Sequence, residues 1–192
     1  MKDLMLDIET MGNGSNAAII SVGACFFNIE TGEIGNTFHQ QINLQSAVNA
    51  GFDMDASTVM WWMQQSDEAR SKFYPNSKSE GIHRVLLNFR TFIKETNESC
   101  KVWGNGAAFD NVILRNAFKK CTTIGEPWHF YNDMDVRTIV RLGREIGFDP
   151  KRDMPFEGVK HDALADAIHQ AKYVSAIYQK LLKPLSEATA HE

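Results

Sequence analysis

The chain has 192 residues, 43% of them hydrophobic and 23% charged, and a formal net charge of −4 at pH 7. This excludes a disordered chain, which would carry fewer apolar residues and more net charge, and it leaves enough core for one globular domain. It also excludes a general nucleic-acid-coating protein, whose affinity would come from an excess of cations. An enzyme that grips a few nucleotides at one strand end remains compatible with mild acidity.

Residues 17–27 form the most apolar stretch, about half the ~20 residues of a spanning helix, so no membrane segment is expected. Asp3 and Asp7 interrupt the apolar N-terminus, which lacks the shape of a signal peptide. Cys25, Cys100 and Cys121 are far apart and form no C-x-x-C pair. They are expected as reduced thiols of a cytoplasmic protein rather than a disulfide or zinc framework. No repeat or linker divides the chain, so the expectation is a single domain over residues 1–182 and a tail over 183–192.

In chain order, Leu4, Leu6 and Ile8 alternate with Met5, Asp7 and Glu9, which predicts a strand. Residues 19–28 are rich in strand formers, and residues 35–44 follow after a Glu30-Thr31-Gly32-Glu33 turn. Over residues 57–73 the pattern becomes helical, with Val59, Trp62 and Met63 on one face and Ser66 as the N-cap of a second short helix. A long helix is predicted over 80–94, a short strand over 101–104 and a helix over 108–120. A strand near 128–131 then precedes a helix carrying Val136, Ile139, Val140, Gly143 and Ile146. The closing helix is predicted over 162–182, with an apolar stripe of Leu164, Ile168, Ala171, Ser175, Tyr178 and Leu182. Hairpin strands followed by alternating helix and strand predict an α/β fold, a mixed central β-sheet with helices on both faces.

Three segments carry candidate chemistry. Asp7 and Glu9, two apart on a strand, leave the same face, and paired carboxylates repel unless a cation lies between them. Taken alone, the pair is more readily read as a solvent-facing polar strand face. Asp110 follows a glycine-flanked turn, Trp103-Gly104-Asn105-Gly106, in the first turn of a helix, where capping alone would favour an acid. His161 and Asp166 open the last helix, five residues apart, and a lone histidine there is more often a cap or a surface residue. The set as a whole says more. Four acids from three segments, with one histidine beside the last, are the parts that metal-assisted phosphodiester hydrolysis requires.

Asp7-Ile8-Glu9-Thr10, Phe109-Asp110 and His161-x4-Asp166 resemble the three motifs of the DEDDh 3'→5' exonuclease superfamily. Asp7-Ile8-Glu9-Thr10-Met11-Gly12, Trp61-Trp62 before Gln65-Ser66-x-Glu68-Ala69-Arg70, Trp103-Gly104-Asn105-Gly106 and Asp135-x-Arg137-Thr138 are similar to a smaller branch of phage exonucleases and a bacterial exoribonuclease that trims adenylate tails. That likeness runs from residue 4 to about residue 178. Where many relatives carry His-Asn before the second motif, this chain has Asn105-Gly106.

The resemblance implies a ribonuclease H-like fold, two Mg²⁺ or Mn²⁺ ions held by Asp7, Glu9, Asp110 and Asp166, and His161 as general base. It implies a single-stranded DNA or RNA 3' end as substrate, with the phage likeness tilting the expectation to DNA, and it raises a homodimer as an assembly to test. Met11 is expected to wedge against the terminal base. Trp61 is left at an edge if Trp62 joins the core, and could stack on that base. Arg137, on one side of its helix with Arg141 and Arg144, is a phosphate-binding or dimer-contact candidate. The rivals are an endonuclease of the same fold and a catalytically inactive nucleic-acid-binding domain.

Overall fold

The computed structural model describes residues 1–71, 79–97, 99–156 and 161–189, with the last helix's side chains described as far as residue 182. The strands are β1 (Asp3–Thr10), β2 (Ile19–Phe27), β3 (Ile34–Gln41), β4 (Lys101–Gly104) and β5 (Asp133–Asp135). They form one sheet in the order β3-β2-β1-β4-β5, antiparallel from β3 to β1 and parallel from β1 to β5. The helices are α1 (Leu44–Asn49), α2 (Ala56–Met63), α3 (Asp67–Arg70), α4 (Ile82–Thr96), α5 (Asp110–Cys121), α6 (Val136–Glu145), α7 (Pro150–Asp153) and α8 (Ala163–Thr189). No helix among the described residues is long and apolar enough to cross a membrane.

Each face of the sheet is covered. On one, Leu4, Leu6 and Ile8 of β1 and Val22, Ala24 and Phe26 of β2 pack with Ile82, Val85, Leu86, Phe89 and Ile93 of α4 and Ile113, Leu114 and Phe118 of α5. The opposite face of β1 is buried as well at its base, where Met5 joins Cys25, Phe27, Trp103, Ala167, Ala171, Val174 and Ile177 in a second core under α6 and α8. Helical spacing makes the α8 stripe Ala163, Ala167, Ala171, Val174 and Ile177. This corrects the expected one: Leu164, Ile168 and Tyr178 are half-buried and Leu182 is exposed. The reason is close approach. A Cβ on Gly23 of β2 would lie 2.1 Å from the backbone carbon of Ala163, so only glycine below and a small residue above let the start of α8 rest on the sheet.

The expected elements recur with three corrections. The fifth strand is Asp133–Asp135, while Phe130–Asn132 is a 3₁₀ turn whose Phe130 and Tyr131 are exposed. Met63 and Ile146 are exposed rather than core. Helix α8 continues to Thr189, past the expected start of a tail. Ser66 caps α3 as expected, accepting from Ala69 N; residues 72 and 73, expected at the end of the same helical segment, lie outside the described residues.

Candidate active site

Strand β1 carries Asp7 and Glu9 past the point where its ladder with β4 ends, at Leu6 opposite Gly104. Beyond that pair, the Ile8 N–H donates to Asp110 Oδ1 (3.2 Å) at the head of α5 instead of to a strand. The second motif is thereby tied to the first. Gly104 allows it, since a Cβ there would lie 2.4 Å from Asn111 Oδ1 and 3.2 Å from Asp110 Cβ. The third motif arrives on α8, over Gly23, which pairs with Asp7 across the sheet. Asp166, Gln170 and Tyr173 follow one another at i, i+4 and i+7, so they share a side of that helix.

The electrostatics show how closely these groups meet. Burial, then the charges of Asp110, Glu9 and Asp166, raise the Asp7 carboxyl well above the usual carboxylate range, with the Gln170 hydrogen bond opposing. Gln170 Nε2 donates to Asp7 Oδ1 at 2.8 Å. Burial pushes Asp110 up to about 7, against backbone hydrogen bonds, chiefly that of Ile8, and the Arg137 charge. Burial first, and then Asp7 and Asp166, raise the Tyr173 hydroxyl.

Glu9, His161 and Asp166 offer ligand atoms that all lie within 4.8 Å of one another. Three ligands sharing one face of an octahedral shell with bonds of ~2.0–2.1 Å stand about 3 Å apart, so these groups would have to move inward to hold a hard cation together. Two buried acceptors near the cluster, Gln170 Oε1 and Ser21 Oγ (Ser21 pairs with Glu9 in the β1–β2 ladder), have no hydrogen-bond partner among the described residues. Mutually repelling carboxylates with spare polar atoms around them fit a hydrated divalent cation.

His161 adopts φ 62°, the one positive φ outside glycine among the described residues. Such backbone strain concentrates at functional sites. Its ring meets Trp61 edge-on at 4.8 Å. The next residue, Asp162, receives the Ala165 N–H (3.0 Å) and so caps α8.

Trp62 is buried and donates from Nε1 to the Thr10 carbonyl (2.9 Å), fixing α2 against the end of β1. Trp61 is left 41% exposed beside His161. Arg137 lies over Gly106, where a Cβ would meet its guanidinium carbon at 2.9 Å, and Gly106 has φ +108°. Asp135 receives Ala107 N (2.7 Å) and Thr138 N (3.0 Å), which holds that loop to α6. Met11, expected as a wedge against the terminal base, is 6% exposed and packs in the larger core. Sequence reading missed Gln170 and Tyr173, although their spacing from Asp166 was there to be used.

With this geometry in hand, the comparisons with known proteins are specific. A family model described as the 3'-5' exoribonuclease Rv2179c-like domain matches residues 2–178. The chain belongs to that family. It is similar to an exodeoxyribonuclease of Enterobacteria phage T4, 26% identical over an alignment of 194 positions that covers 86% of this chain and 84% of the phage protein. Among solved structures, the zinc-bound E. coli exonuclease I complex with single-stranded DNA superposes with a TM-score of 0.70 at 16% identity, covering 98% of this chain. The chain spans 42% of that enzyme's length. The nuclease domain of 3'hExo, a DEDDh family member bound to rAMP, superposes with a TM-score of 0.56 at 16% identity, covering 92% of this chain and 91% of that domain. The fold is ribonuclease H-like, the family is described as a 3'-5' exoribonuclease domain, and one structural neighbour is the nuclease domain of a DEDDh family member.

Proposed function

We propose that this exonuclease removes nucleoside 5'-monophosphates one at a time from the 3' end of single-stranded nucleic acid, with DNA the favoured substrate. The convergence of Asp7, Glu9, Asp110 and Asp166 on one spot carries the reading, because the charges of the other three raise the affinity of Asp7 for a proton and hence for a cation. Two Mg²⁺ or Mn²⁺ ions suit the site: Asp7, Glu9 and Asp166 would hold one, and Asp7 with Asp110 the other. When bound, the ions would neutralise the cluster, acidify water and offset the charge that builds on the leaving 3'-oxygen.

The chain's own residues do the rest. His161, held beside Glu9 and Asp166 and backed by Trp61, takes the proton of the attacking water as general base. Gln170 fixes the Asp7 carboxylate through its amide. Trp61 offers its exposed ring to the terminal base, which a paired strand could not present, and Arg137 faces a phosphate.

The preference for DNA leans on the phage relative, an exodeoxyribonuclease, while the family description is of an exoribonuclease. End-labelled DNA and RNA oligomers, incubated with Mg²⁺ or Mn²⁺ and resolved on a gel, test both points. A 5' label should give a descending ladder, a 3' label should release labelled mononucleotide at once, and a closed circle should survive. Cutting of the circle that disappears in Asp7→Ala would favour an endonuclease instead.

A further inference from the structure

We propose that a cleft on the α6–α7 side of Asp166 seats the phosphodiester backbone upstream of the scissile bond, with Arg144 and Lys151 contacting its phosphates. The proposal rests on the exonuclease reading above and gives the strand a path. The cleft holds about 510 Å³, inside the ~300–1,000 Å³ range of ligand clefts. Asp166 belongs both to its wall and to the carboxylate–histidine group, whereas Trp61 and His161 line no part of it. A strand whose terminal base rests on Trp61 must continue past the carboxylates, and this cleft is where it would go.

The wall has the chemistry of a backbone seat. Arg137, Arg144 and Lys151 face it, a local reversal of sign in a chain of net charge −4. Arg144 pairs with Asp149 at 3.3 Å, with the two side chains 46% and 32% exposed. Such an exposed pair is weak and can be exchanged for a phosphate at little cost. Lys151 is exposed, and its backbone N–H, not its ammonium, serves Asp149 Oδ1 (3.1 Å). Val140 and Tyr173 give the wall apolar surface for sugars.

The test compares substrates of different length with the whole chain and Mn²⁺. The p-nitrophenyl ester of thymidine 5'-monophosphate has no upstream phosphate; a single-stranded decamer has several. Arg144→Gln and Lys151→Gln should each raise KM for the decamer about tenfold with kcat little changed, and lower the dependence of log KM on log salt by about 0.7, the contribution of one phosphate contact on a single strand. KM for the ester should stay within about twofold, since no contact to it is lost.

Binding of a fluorescent decamer in Ca²⁺, followed by anisotropy, reads the same contacts without turnover and should weaken by the same factor. Equal losses on ester and decamer would overturn the proposal, because the cleft would then hold the terminal nucleotide. Unchanged decamer binding in both variants would overturn it as well. A wild-type chain that binds the decamer through these cations yet hydrolyses neither substrate would instead overturn the exonuclease reading and leave the seat standing.

Discussion

The two faces of the sheet differ in what their burial is for. Under α4 and α5 the core is aromatic and aliphatic: Phe38, Phe89 and Phe92 cluster with ring centroids 5.1–6.2 Å apart, and Phe89 and Phe118 are fully buried. Under α8 the buried stripe is largely alanine, and beside it stand Asp7, Asp166, Gln170 and Tyr173. The first face gains its stability from apolar area. The second gives up side-chain volume so that a helix can come close enough to the sheet to place carboxylates together. One face holds the fold; the other buries charge that folding disfavours. Strand β1 belongs to both, and alternate residues separate the two roles.

Substitutions on the two faces should therefore fail in opposite ways. On the carboxylate side, Asp7→Ala and Asp166→Ala should lower turnover by about four orders of magnitude or more, with a thermal midpoint in EDTA equal to or above wild type. Near-normal turnover in either variant would remove it from the metal ligands. His161→Ala should lower turnover by about two to four orders of magnitude, the worth of a general base. Its Mn²⁺ affinity by calorimetry should hold; if affinity collapses, the histidine serves as a ligand, which its position within 4.8 Å of Glu9 and Asp166 also permits.

On the other face, Phe89→Ala should cost about 3–5 kcal/mol in denaturant unfolding, while activity per folded molecule is kept. An equal loss of specific activity would mean that the two faces are not separable.

Gly23→Ala sits between the two cases. The added methyl meets the backbone of Ala163 and Leu164, so both stability and activity should fall, stability by about 1–3 kcal/mol. Gly35→Ala is the control: the nearest neighbours of its Cβ would be the Met1 side chain and then the backbone oxygen of Phe26 at 3.5 Å, and the flexible methionine can move. If the control is as costly, close approach of α8 is not the cause.

The smallest expected effect is on pH dependence in EDTA. Asp7 and Asp110 have folded-state values above the unfolded one, so their stabilising contribution is full below the unfolded value near 4 and is lost as pH rises, for Asp110 through about 7. Asp110→Asn should accordingly melt a few degrees above wild type at pH 8, at roughly 2–4 °C for each kcal/mol, and the gap should shrink at pH 5.5. An unchanged gap would mean that the repulsion is not borne by Asp110.

Several elements were legible for local reasons. β1 alternates, Ser66 announces a cap, and residues 101–104 form the strand that their apolar centre predicts. Trp62 in and Trp61 out followed from adjacency on a helix. The failures also have local causes. Phe130 and Tyr131 look like strand residues but stand exposed on a turn. The actual strand, Asp133-Met134-Asp135, reads as a loop because its acids are satisfied by distant partners, Asp133 by Asn111, Trp128 and Arg115, and Asp135 by Ala107. That Met11 joins the larger core was not legible, because its position after the first motif said nothing about the core it enters.

The sequence by itself determined the order of the main strands and helices, the face on which Asp7 and Glu9 stand, and which side chains there have the chemistry of cation ligands. Periodicity and side-chain chemistry are local, and they survive in a string of letters. Only the tertiary structure decided that Gly23 lies under Ala163, that Ile8 donates to Asp110, and that Gln170 reaches Asp7. Each of these joins residues far apart in the chain across a distance of a few ångströms. Steric contact and hydrogen bonding fall off within that range, so nothing about them is written in the spacing along the chain.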